Sequence, residues 1–406
     1  MKKNFLSLTI LLVAAWNSTV SGQNNKGYKI YFSEYSLEKN LVLRINNSNR
    51  DLEIKFWEKN ILRIENSLPD SLNNVLTESN WQEMMGIKVN KFPSRTDVTI
   101  LGGKFPITQA YKDRGNFNSL GTVQQMMVAQ DAIEPQTSQV LNTNKGLQVL
   151  GVNTTTVIYI PASSSVDLVN KYSSVSISGN ITKGYLNLEN TVLDAASFGS
   201  LRLIAKYSTV NIAASGDCEA DIANSSFRAG TIDKAEIEST RSTVDLEKGN
   251  IVYIRSNLDN GYTIEEVTTI EGRLLYSNIR IEKLNRKMDF EGNNYDVKLR
   301  EIATSAELIK VNNSFADLRL PVKGLAGYSV SFDGKYSSVF APFEIVPAKR
   351  DDTEKTVGSL ALGATPYTNT FQTPNAPRFF TATAGNEQSK KTVFELVCHR
   401  CTVDFK

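Results

Sequence analysis

The sequence predicts an all-β protein built as a parallel β-solenoid (β-helix), with capping elements and a short N-terminal helix. Three observations lead to this fold class. A seven-residue unit recurs through most of the chain. Apolar and polar residues alternate within each unit, as they do in a half-buried strand. An apolar residue also stands seven positions before the key residue in the clear copies, with Gly272 as the exception, and this odd spacing requires a corner between two strands.

The recurring unit follows the pattern Tyr-Ser-Ser-Val-x-Ile. Its key apolar residues lie 14 to 21 positions apart. A single unit of this length cannot bury its own apolar face, whereas stacked copies form one continuous core. The clear copies are residues 48–54, 171–177, 206–212, 240–246, 275–281, 314–320, 335–341 and 399–405, and weaker copies are centred on Val192, Phe227, Leu258 and Val297.

The copy at 206–212 illustrates the geometry of one unit. Val210 and Ile212 are apolar and Asn211 between them is polar, while Leu203 is the apolar residue seven positions earlier. The residues between Leu203 and Val210 must turn a corner, and Ser, Thr and Asn favour corners because their side chains bond nearby backbone. A flat sandwich or an up-and-down barrel is the alternative, but it needs Asn-Gly or Asp-Gly hairpin turns that most copies lack.

Aromatic residues precede the key residue by three positions in five of the clear copies and in none of the weaker ones. One full turn of the solenoid, a coil, therefore holds either a single unit, or a clear and a weaker unit together over about 35 residues. Aromatic rings stacked along one edge form a structural ladder in one interpretation and a sugar-binding strip in the other. The candidate surface-binding residues are Tyr172, Tyr207, Tyr276, Phe315 and Tyr336.

The first 22 residues have the organisation of a secretory signal peptide. Two lysines precede an apolar run from Phe5 to Trp16, which is too short to span a bilayer. Val20 and Gly22 provide small residues before the cleavage point, so we expect the mature chain to begin at Gln23. The sequence thus predicts an exported protein of the periplasm, outer membrane or cell surface, without a transmembrane segment in the mature chain.

Apolar residues at helical spacing between Asp70 and Met85 predict a short amphipathic helix with Asp70 as its N-cap.

After the signal peptide, the chain divides into five predicted parts. The parts are an N-terminal cap with the first strand units (23–101), a mobile insertion (102–150), the solenoid repeats (151–348), a loop insertion (349–378) and C-terminal strands that close the solenoid (379–406).

The charge balance argues against two classes of partner. The chain has 45 basic and 43 acidic residues. Removing Lys2 and Lys3 with the signal peptide leaves 43 of each and a formally neutral mature chain. Nucleic acids and anionic membranes both attract proteins with a positive field. We therefore expect no nucleic-acid partner, and predict an envelope protein or a polysaccharide of unknown identity.

The three cysteines, Cys218, Cys398 and Cys401, are an odd number that cannot all pair within one chain. The spacing of Cys398 and Cys401 also occurs in redox pairs and in half zinc sites. A redox pair uses a helix N-terminus, but Val393 to Phe405 alternates like a strand, and a zinc site needs two further ligands. We interpret the pair as structural thiols or as a disulfide across a corner.

Catalytic machinery is not apparent in the sequence. His399 is the only histidine, which leaves a Ser-His-Asp or Cys-His arrangement almost without candidate members. We therefore predict no catalytic, cofactor-binding or metal-ligating residues. The enzymatic alternative is a carbohydrate-active β-helix enzyme, for which Asp351-Asp352 and Glu265-Glu266 are the adjacent carboxylates. Fold analogy is the main support for that alternative.

The chain resembles the adhesin-like head-domain family of exported bacterial β-solenoids known as the GIN-domain type. The resemblance rests on the Tyr-Ser-Ser-Val-x-Ile units, on the strand at 52–57 and on the Tyr-Ile-Pro segment at 159–161. It covers residues 165–345 and extends to 41–101. It implies an adhesion role and supplies no catalytic residues. One departure is the corner, which is Ser-Ser or Ser-Thr here where the family usually has Gly-Asp or Gly-Asn.

These features predict an exported, non-enzymatic repeat protein that acts as a scaffold or adhesion surface in the envelope of a Gram-negative bacterium. Two alternatives from other classes remain. One is the carbohydrate-active enzyme, and the other is a periplasmic partner of a membrane signalling protein.

Overall fold

The structure is a computed structural model. It describes residues 28–37, 42–69, 76–101, 104–106, 139–143, 146–150, 155–162, 164–347, 371–373, 378–385 and 392–406. The predicted signal peptide lies outside the described residues, as do Asp351 and Asp352.

The described chain is almost entirely β-strand. The strands before the repeats are β1 (Tyr28–Ser36), β2 (Val42–Ser48), β3 (Leu52–Trp57), β4 (Ile61–Pro69), β5 (Ile87–Phe92), β6 (Arg95–Ile100), β7 (Lys104–Pro106), β8 (Gln139–Thr143) and β9 (Gly146–Leu150). One helix, α1 (Trp81–Met84), precedes β5. The strands of the repeats are β10 (Thr156–Pro161), β11 (Ser165–Lys171), β12 (Ser174–Glu189), β13 (Val192–Lys206), β14 (Thr209–Ala223), β15 (Ser226–Thr240), β16 (Thr243–Asn257), β17 (Gly261–Ile302), β18 (Leu308–Ser314), β19 (Asp317–Leu320), β20 (Gly327–Asp333) and β21 (Ser338–Ala341). The last strands are β22 (Val346–Pro347), β23 (Phe371–Thr373), β24 (Phe379–Gly385), β25 (Thr392–His399) and β26 (Thr402–Phe405).

Consecutive repeat strands pair in parallel with a nearly constant register. Val210 of β14 lies beside Phe227 of β15, and Phe227 lies beside Val244 of β16, so each step is 17 residues. The step from β16 to β17 is 18 residues, since Val244 lies beside Tyr262. We call each such interval a coil. Every coil from β13 to β16 holds one unit, because a clear copy (Val210) lies directly beside a weaker copy (Phe227) on the next coil. The alternative, in which one coil of about 35 residues holds both, is therefore wrong.

Two of the weaker copies were centred on the wrong residue. Leu193 rather than Val192 is buried in the parallel register, and Tyr262 rather than Leu258 is buried in its coil. Val192 and Leu258 are 46% and 43% exposed. The error arises because these two positions carry apolar residues without facing the core. The other two weaker copies have the predicted residue in the core.

Buried residues alternate along straight segments of each coil. In β14, Val210 and Ile212 are buried, and so are Cys218, Ala220 and Ile222 further along the same strand. Buried Ser215 interrupts the alternation between the two runs, and both runs keep the same parity. The parity changes at the corner after β14, because the next buried apolar residue is Phe227. The inward residues of successive coils join into one continuous hydrophobic core.

The predicted helix between Asp70 and Met85 is reduced to the single turn α1 in the described residues. Residues 70–75 lie outside the description. Thr77 to Asn80 form a turn in which the Thr77 N–H donates to Asn80 Oδ1 at 2.7 Å. The helix begins after this turn, at Trp81, whose N–H donates to the Thr77 carbonyl at 3.1 Å.

The two ends of the parallel ladder carry antiparallel strands. At the N-terminal end, β1 pairs antiparallel with β4, and β5 with β6. At the other end, β24 pairs antiparallel with β20. The prediction that residues 379–406 close the far end is wrong for β25 and β26. These strands insert between β18 and β20 and between β19 and β21, where their apolar rows complete the core.

The predicted insertion at 102–150 contains three described strands. They form a separate small sheet in the order β7, β9, β8, with antiparallel pairing throughout. The rest of this segment lies outside the described residues, and its mobility stays a prediction.

The register predicts opposite outcomes for two neighbouring residues. Val210 is completely buried, so Val210→Asp should lower the free energy of unfolding by about 3–5 kcal/mol through an uncompensated buried charge. Asn211 is on the outer face beside Asp194, so Asn211→Ser should cost less than about 0.5 kcal/mol. Urea denaturation of both variants measures the difference, and equal losses would contradict the assigned register.

Candidate binding surface

Each coil turns at one residue in the left-handed backbone conformation. Within the described ranges, twelve non-glycine residues have φ between 49° and 59°. Where consecutive strands follow one another, these residues recur at the spacing of the coils, so the left-handed residue is the corner that the parity of the sequence required. They are Asn49, Tyr172, Asn190, Tyr207, Asn224, Arg241, Leu258, Tyr276, Asn294, Phe315, Tyr336 and Arg400.

The corner backbone bonds each coil to the next. The Asn190 N–H donates to the Lys206 carbonyl at 3.0 Å, and the Tyr207 N–H donates to the Ala223 carbonyl at 3.1 Å. The same bond recurs at the following corners. Because the left-handed conformation points this N–H along the stacking direction, the corner continues the ladder instead of interrupting it.

Directly after the corner residue, a buried hydroxyl makes a second ladder. The Ser208 N–H donates to Ser225 Oγ at 3.0 Å, and the Ser225 N–H donates to Ser242 Oγ at 3.2 Å. Each hydroxyl donates in turn to the carbonyl two residues before it, as Ser225 does to Ala223 at 2.8 Å. We call these stacked hydroxyls the serine ladder. They explain why the corner is Ser-Ser or Ser-Thr.

Asp259 replaces a serine at one level of the serine ladder, and no pattern in the sequence singles it out. Its Oδ1 accepts the Ser242 N–H at 2.7 Å, and its Oδ2 accepts hydrogen bonds from Ser239 and Ser256. Ser239 also shares a hydrogen bond with the hydroxyl of Tyr262, whose pKa is raised by burial. All five residues are buried, so this cluster satisfies polar groups in the core and presents nothing to a ligand.

The side chains of the corner residues form a row on the outside of the stack, which we call the corner column. The five candidate aromatic residues all belong to it. Tyr336 is 83% exposed and Tyr207 is 62% exposed, and the other three are about half exposed. The structure therefore brings the sequence-predicted residues to one edge and leaves their rings open to solvent.

The backbone does not require aromatic residues at these corners. Asn tolerates the left-handed conformation, whereas a bulky residue pays roughly 1–2 kcal/mol for it. Asn190 and Asn224 occupy the same position in neighbouring coils with the same backbone geometry. Strained residues of this kind are typical of functional sites. The aromatic corners thus carry a cost that the fold itself could avoid.

Aromatic rings and asparagines alternate along part of the column. Tyr172 and Tyr207 are separated by the coil of Asn190, and Tyr207 and Arg241 by the coil of Asn224. Long side chains therefore stand two strand spacings apart, roughly 9–10 Å. The described ring contacts include none between Tyr172 and Tyr207, so the expected ladder of directly stacked tyrosines is not formed.

The short asparagines leave notches between these long side chains. One notch has a volume of about 440 Å³, with Tyr207 and Arg241 as walls and the Asn224 amide between them. Ser226 and Thr209 also line it. An aromatic face, a guanidinium, an amide and hydroxyls are the groups that bind a polyhydroxylated ligand through stacking and hydrogen bonds. Sequence reasoning missed the asparagines, although their spacing to the tyrosines gave the signal.

At the last corners the column continues with a cation–π contact. The Arg400 guanidinium lies 5.2 Å from the centre of the Phe315 ring. These two residues occupy neighbouring coils, since the Phe315 N–H donates to the His399 carbonyl at 2.9 Å.

The carboxylates considered for the enzymatic alternative do not converge in the described residues. Glu266 accepts a hydrogen bond from Asn285 at 2.8 Å and pairs with Lys248 at 3.8 Å. The Asn285 hydrogen bond, followed by Lys248, lowers the pKa of Glu266. A general acid needs the opposite shift. Glu265 is exposed on the strand beside it.

The cysteines occupy the terminal coil and the core. Cys398 and Cys401 form a disulfide across the Arg400 corner, with Cα atoms 5.8 Å apart. His399 Nδ1 accepts the Lys335 N–H at 3.3 Å. Cys218 is a buried free thiol whose pKa burial raises to about 12. None of these groups is poised for nucleophilic chemistry, since a reactive thiol needs a lowered pKa.

The described residues contain no group of three or more His, Cys, Asp or Glu side chains arranged to hold a metal ion. Over the same ranges, no helix has the length and apolarity needed to cross a membrane.

Comparison with known proteins shows two distant structural likenesses. No protein-family model matches the chain, and no curated protein sequence matches it. One similar solved structure is a "putative adhesin" from Bacteroides fragilis NCTC 9343, with 10% identity, 67% of this chain and 97% of that chain covered, and a TM-score of 0.30. Another is a "putative cell adhesion protein" from Clostridium sporogenes ATCC 15579. The identity is 9%, the match covers 93% of this chain and 100% of that chain, and the TM-score is 0.17.

At these TM-scores the likenesses carry no argument about function. The resemblance to the GIN-domain type stays a prediction, because no family model confirms it.

The serine ladder makes a direct prediction about stability. Ser225→Ala removes the acceptor of the buried Ser208 N–H, so the free energy of unfolding should fall by about 1–3 kcal/mol. Ser226→Ala is the matched control, because no side-chain hydrogen bond of Ser226 is seen and the change should stay within about 0.5 kcal/mol. Guanidinium denaturation measures both, and a loss at Ser226 as large as that at Ser225 would contradict the ladder.

Proposed function

We propose that this chain is an exported, non-enzymatic adhesion surface, built as a parallel β-solenoid, whose corner column binds a polysaccharide of the cell envelope. The observation that carries the proposal is the presence of exposed aromatic residues at left-handed corners where asparagine serves the fold equally well. The strain of these residues is unexplained by packing, because their rings are open to solvent. A ligand that stacks on the rings accounts for it.

The periodicity of the column favours a polymer over a small molecule. The order of long side chain, asparagine and long side chain recurs along the column, at Tyr172, Asn190 and Tyr207 and at Tyr207, Asn224 and Arg241, and the notch observed at the second of these is lined by polar side chains. A single notch would hold its ligand weakly, but several engaged by one chain give a much higher apparent affinity without new contacts. A repeating ligand such as a polysaccharide can occupy them together. A protein that lacks a regular surface repeat cannot.

The other parts of the proposal rest on the sequence. The predicted signal peptide supports export, and the repeat supports the solenoid and the GIN-domain resemblance. The lowered pKa of Glu266 disfavours the one described carboxylate pair considered for an enzyme. No observation on the described residues favours the periplasmic signalling partner, so we propose the adhesion surface instead.

The experiment replaces three column tyrosines with the residue that the backbone prefers. The triple variant Tyr172→Asn, Tyr207→Asn and Tyr276→Asn should unfold at the same or a higher temperature, with up to about 1 kcal/mol gained at each site. Sedimentation with purified peptidoglycan sacculi and with insoluble neutral polysaccharides should show binding by the unaltered protein that the variant loses at least tenfold. Stability and binding should therefore move in opposite directions.

The matched control is Tyr185→Thr, which removes an exposed tyrosine (36% exposed) on a strand away from the column. It should leave binding unchanged. Two results would contradict the proposal: equal binding by the triple variant, or no binding of any of these polymers by the unaltered protein.

A further inference from the structure

Three basic residues lie side by side on the outer face of three successive coils. Arg280, Lys298 and Arg319 each follow the key apolar residue of their unit, and Lys298 pairs directly with Arg319 in the parallel register. All three side chains are exposed. We call this row the basic stripe. Neighbouring strands are about 4.8 Å apart, so the three charges fall within roughly 10 Å.

Elsewhere on the stack, many charged residues form opposite pairs between neighbouring coils, although Glu219 lies beside Glu236 and Asp221 beside Glu238. At the same position in the unit, Arg228 pairs with Asp245 at 3.4 Å and Asn211 donates to Asp194 at 2.7 Å. The pattern holds at other outward positions too. Pairs one coil apart include Lys171–Glu189, Arg202–Glu219, Lys248–Glu266, Arg255–Glu238, Arg273–Glu291 and Lys283–Glu301.

The basic stripe departs from this pattern of opposite pairs. Like charges directly opposite each other on neighbouring strands are unfavourable, and the described residues provide no ion pair for Lys298 or Arg319. Arg280 is held by Glu282 at 2.5 Å. The nearby Asp296 carboxylate accepts the Asp317 backbone N–H at 2.8 Å instead of a basic side chain. Lys298 and Arg319 therefore have no ion-pair partner among the described residues, although Asp404 lies beside Arg319 in the register.

The stripe lines a groove. Its volume is about 380 Å³, and Arg300 and Lys406 extend the positive lining, while Leu299 and Pro321 provide an apolar part. Glu282 also pairs with Arg300 at 3.1 Å, and Asp404 pairs with Lys406 at 3.0 Å. Five cations thus face two carboxylates around the groove. The volume lies within the usual range of small-ligand clefts.

The ends of the stripe limit the ligand. On one side the register continues to Asp404, which lies beside Arg319. On the other side the position is occupied by Thr263 and then by Asp245. A nucleic acid or a membrane surface needs a long or broad basic field, but this positive surface is only three coils wide. It fits one or two anionic groups, which guanidinium groups bind with paired hydrogen bonds.

We propose that the basic stripe is a second binding site, which takes the carboxylate or sulfate groups of an acidic polysaccharide. The unpaired cations of Lys298 and Arg319 supply the charge, and the apolar part of the groove contacts the sugar ring that bears it. This site does not include the aromatic residues of the corner column, and its failure would leave that proposal standing.

The double variant Lys298→Gln and Arg319→Gln tests the proposal. Calorimetric titration of the full mature chain should show binding of polygalacturonate or dextran sulfate, weaker at high salt, and no binding of neutral dextran at this site. The double variant should lose at least tenfold in affinity. Its melting temperature should stay equal or rise, because repulsion between the strands is relieved.

The matched control is Arg228→Gln, which removes a cation at the same position of another coil, where it is paired with Asp245. It should change affinity less than twofold. Equal affinity of the double variant and the unaltered protein would overturn the proposal. So would an equally strong, stripe-dependent interaction with a DNA duplex or with phosphatidylglycerol vesicles, since the site would then belong to another class of anion.

Discussion

The hydrogen bond from each left-handed corner to the next coil is the constraint on which the rest of the structure depends. A chain that turned there without it would lose one hydrogen bond between neighbouring coils at the corner. The bond fixes where the corner falls, and Tyr207 and Asn224 meet this requirement with the same geometry. The serine ladder beside it holds the next residue inward, which returns the apolar residues to the core. Register, core and outer surface all follow from this one repeated turn.

Because the corner sets only the backbone, its side chain is free to vary. Asparagine, tyrosine, arginine and leucine all occupy the position. The outer positions of the strands are free in the same sense, and there the usual solution is an opposite charge on the next coil. Positions that carry a residue less favourable for the fold than the alternative seen on other coils are therefore informative. The aromatic corners and the unpaired cations of the basic stripe are two such cases, and they argue for ligands where the fold alone gives no reason.

Much of the parallel stacking was predictable from the sequence, because the alternation around residues such as Val210 has a simple cause in burial. The exact centre of the weaker copies was not, since an exposed Leu258 at a corner looks as apolar as a core residue. The insertion of β25 and β26 between earlier strands depends on contacts far apart in sequence, which no local pattern encodes. The corner aromatics were visible as a repeat, but the notches between them needed the order of the coils.

The most direct test of the account is the unfolding transition of a chain that lacks residues 211–227. This excision removes one coil and joins Val210 to Arg228, which follows the equivalent residue of the next unit. The account predicts a β-rich protein with one cooperative urea transition and a slope reduced in proportion to the lost surface. Excising residues 211–223 shifts the register and should abolish that transition. If both excisions unfold the protein alike, the corner does not set the repeat.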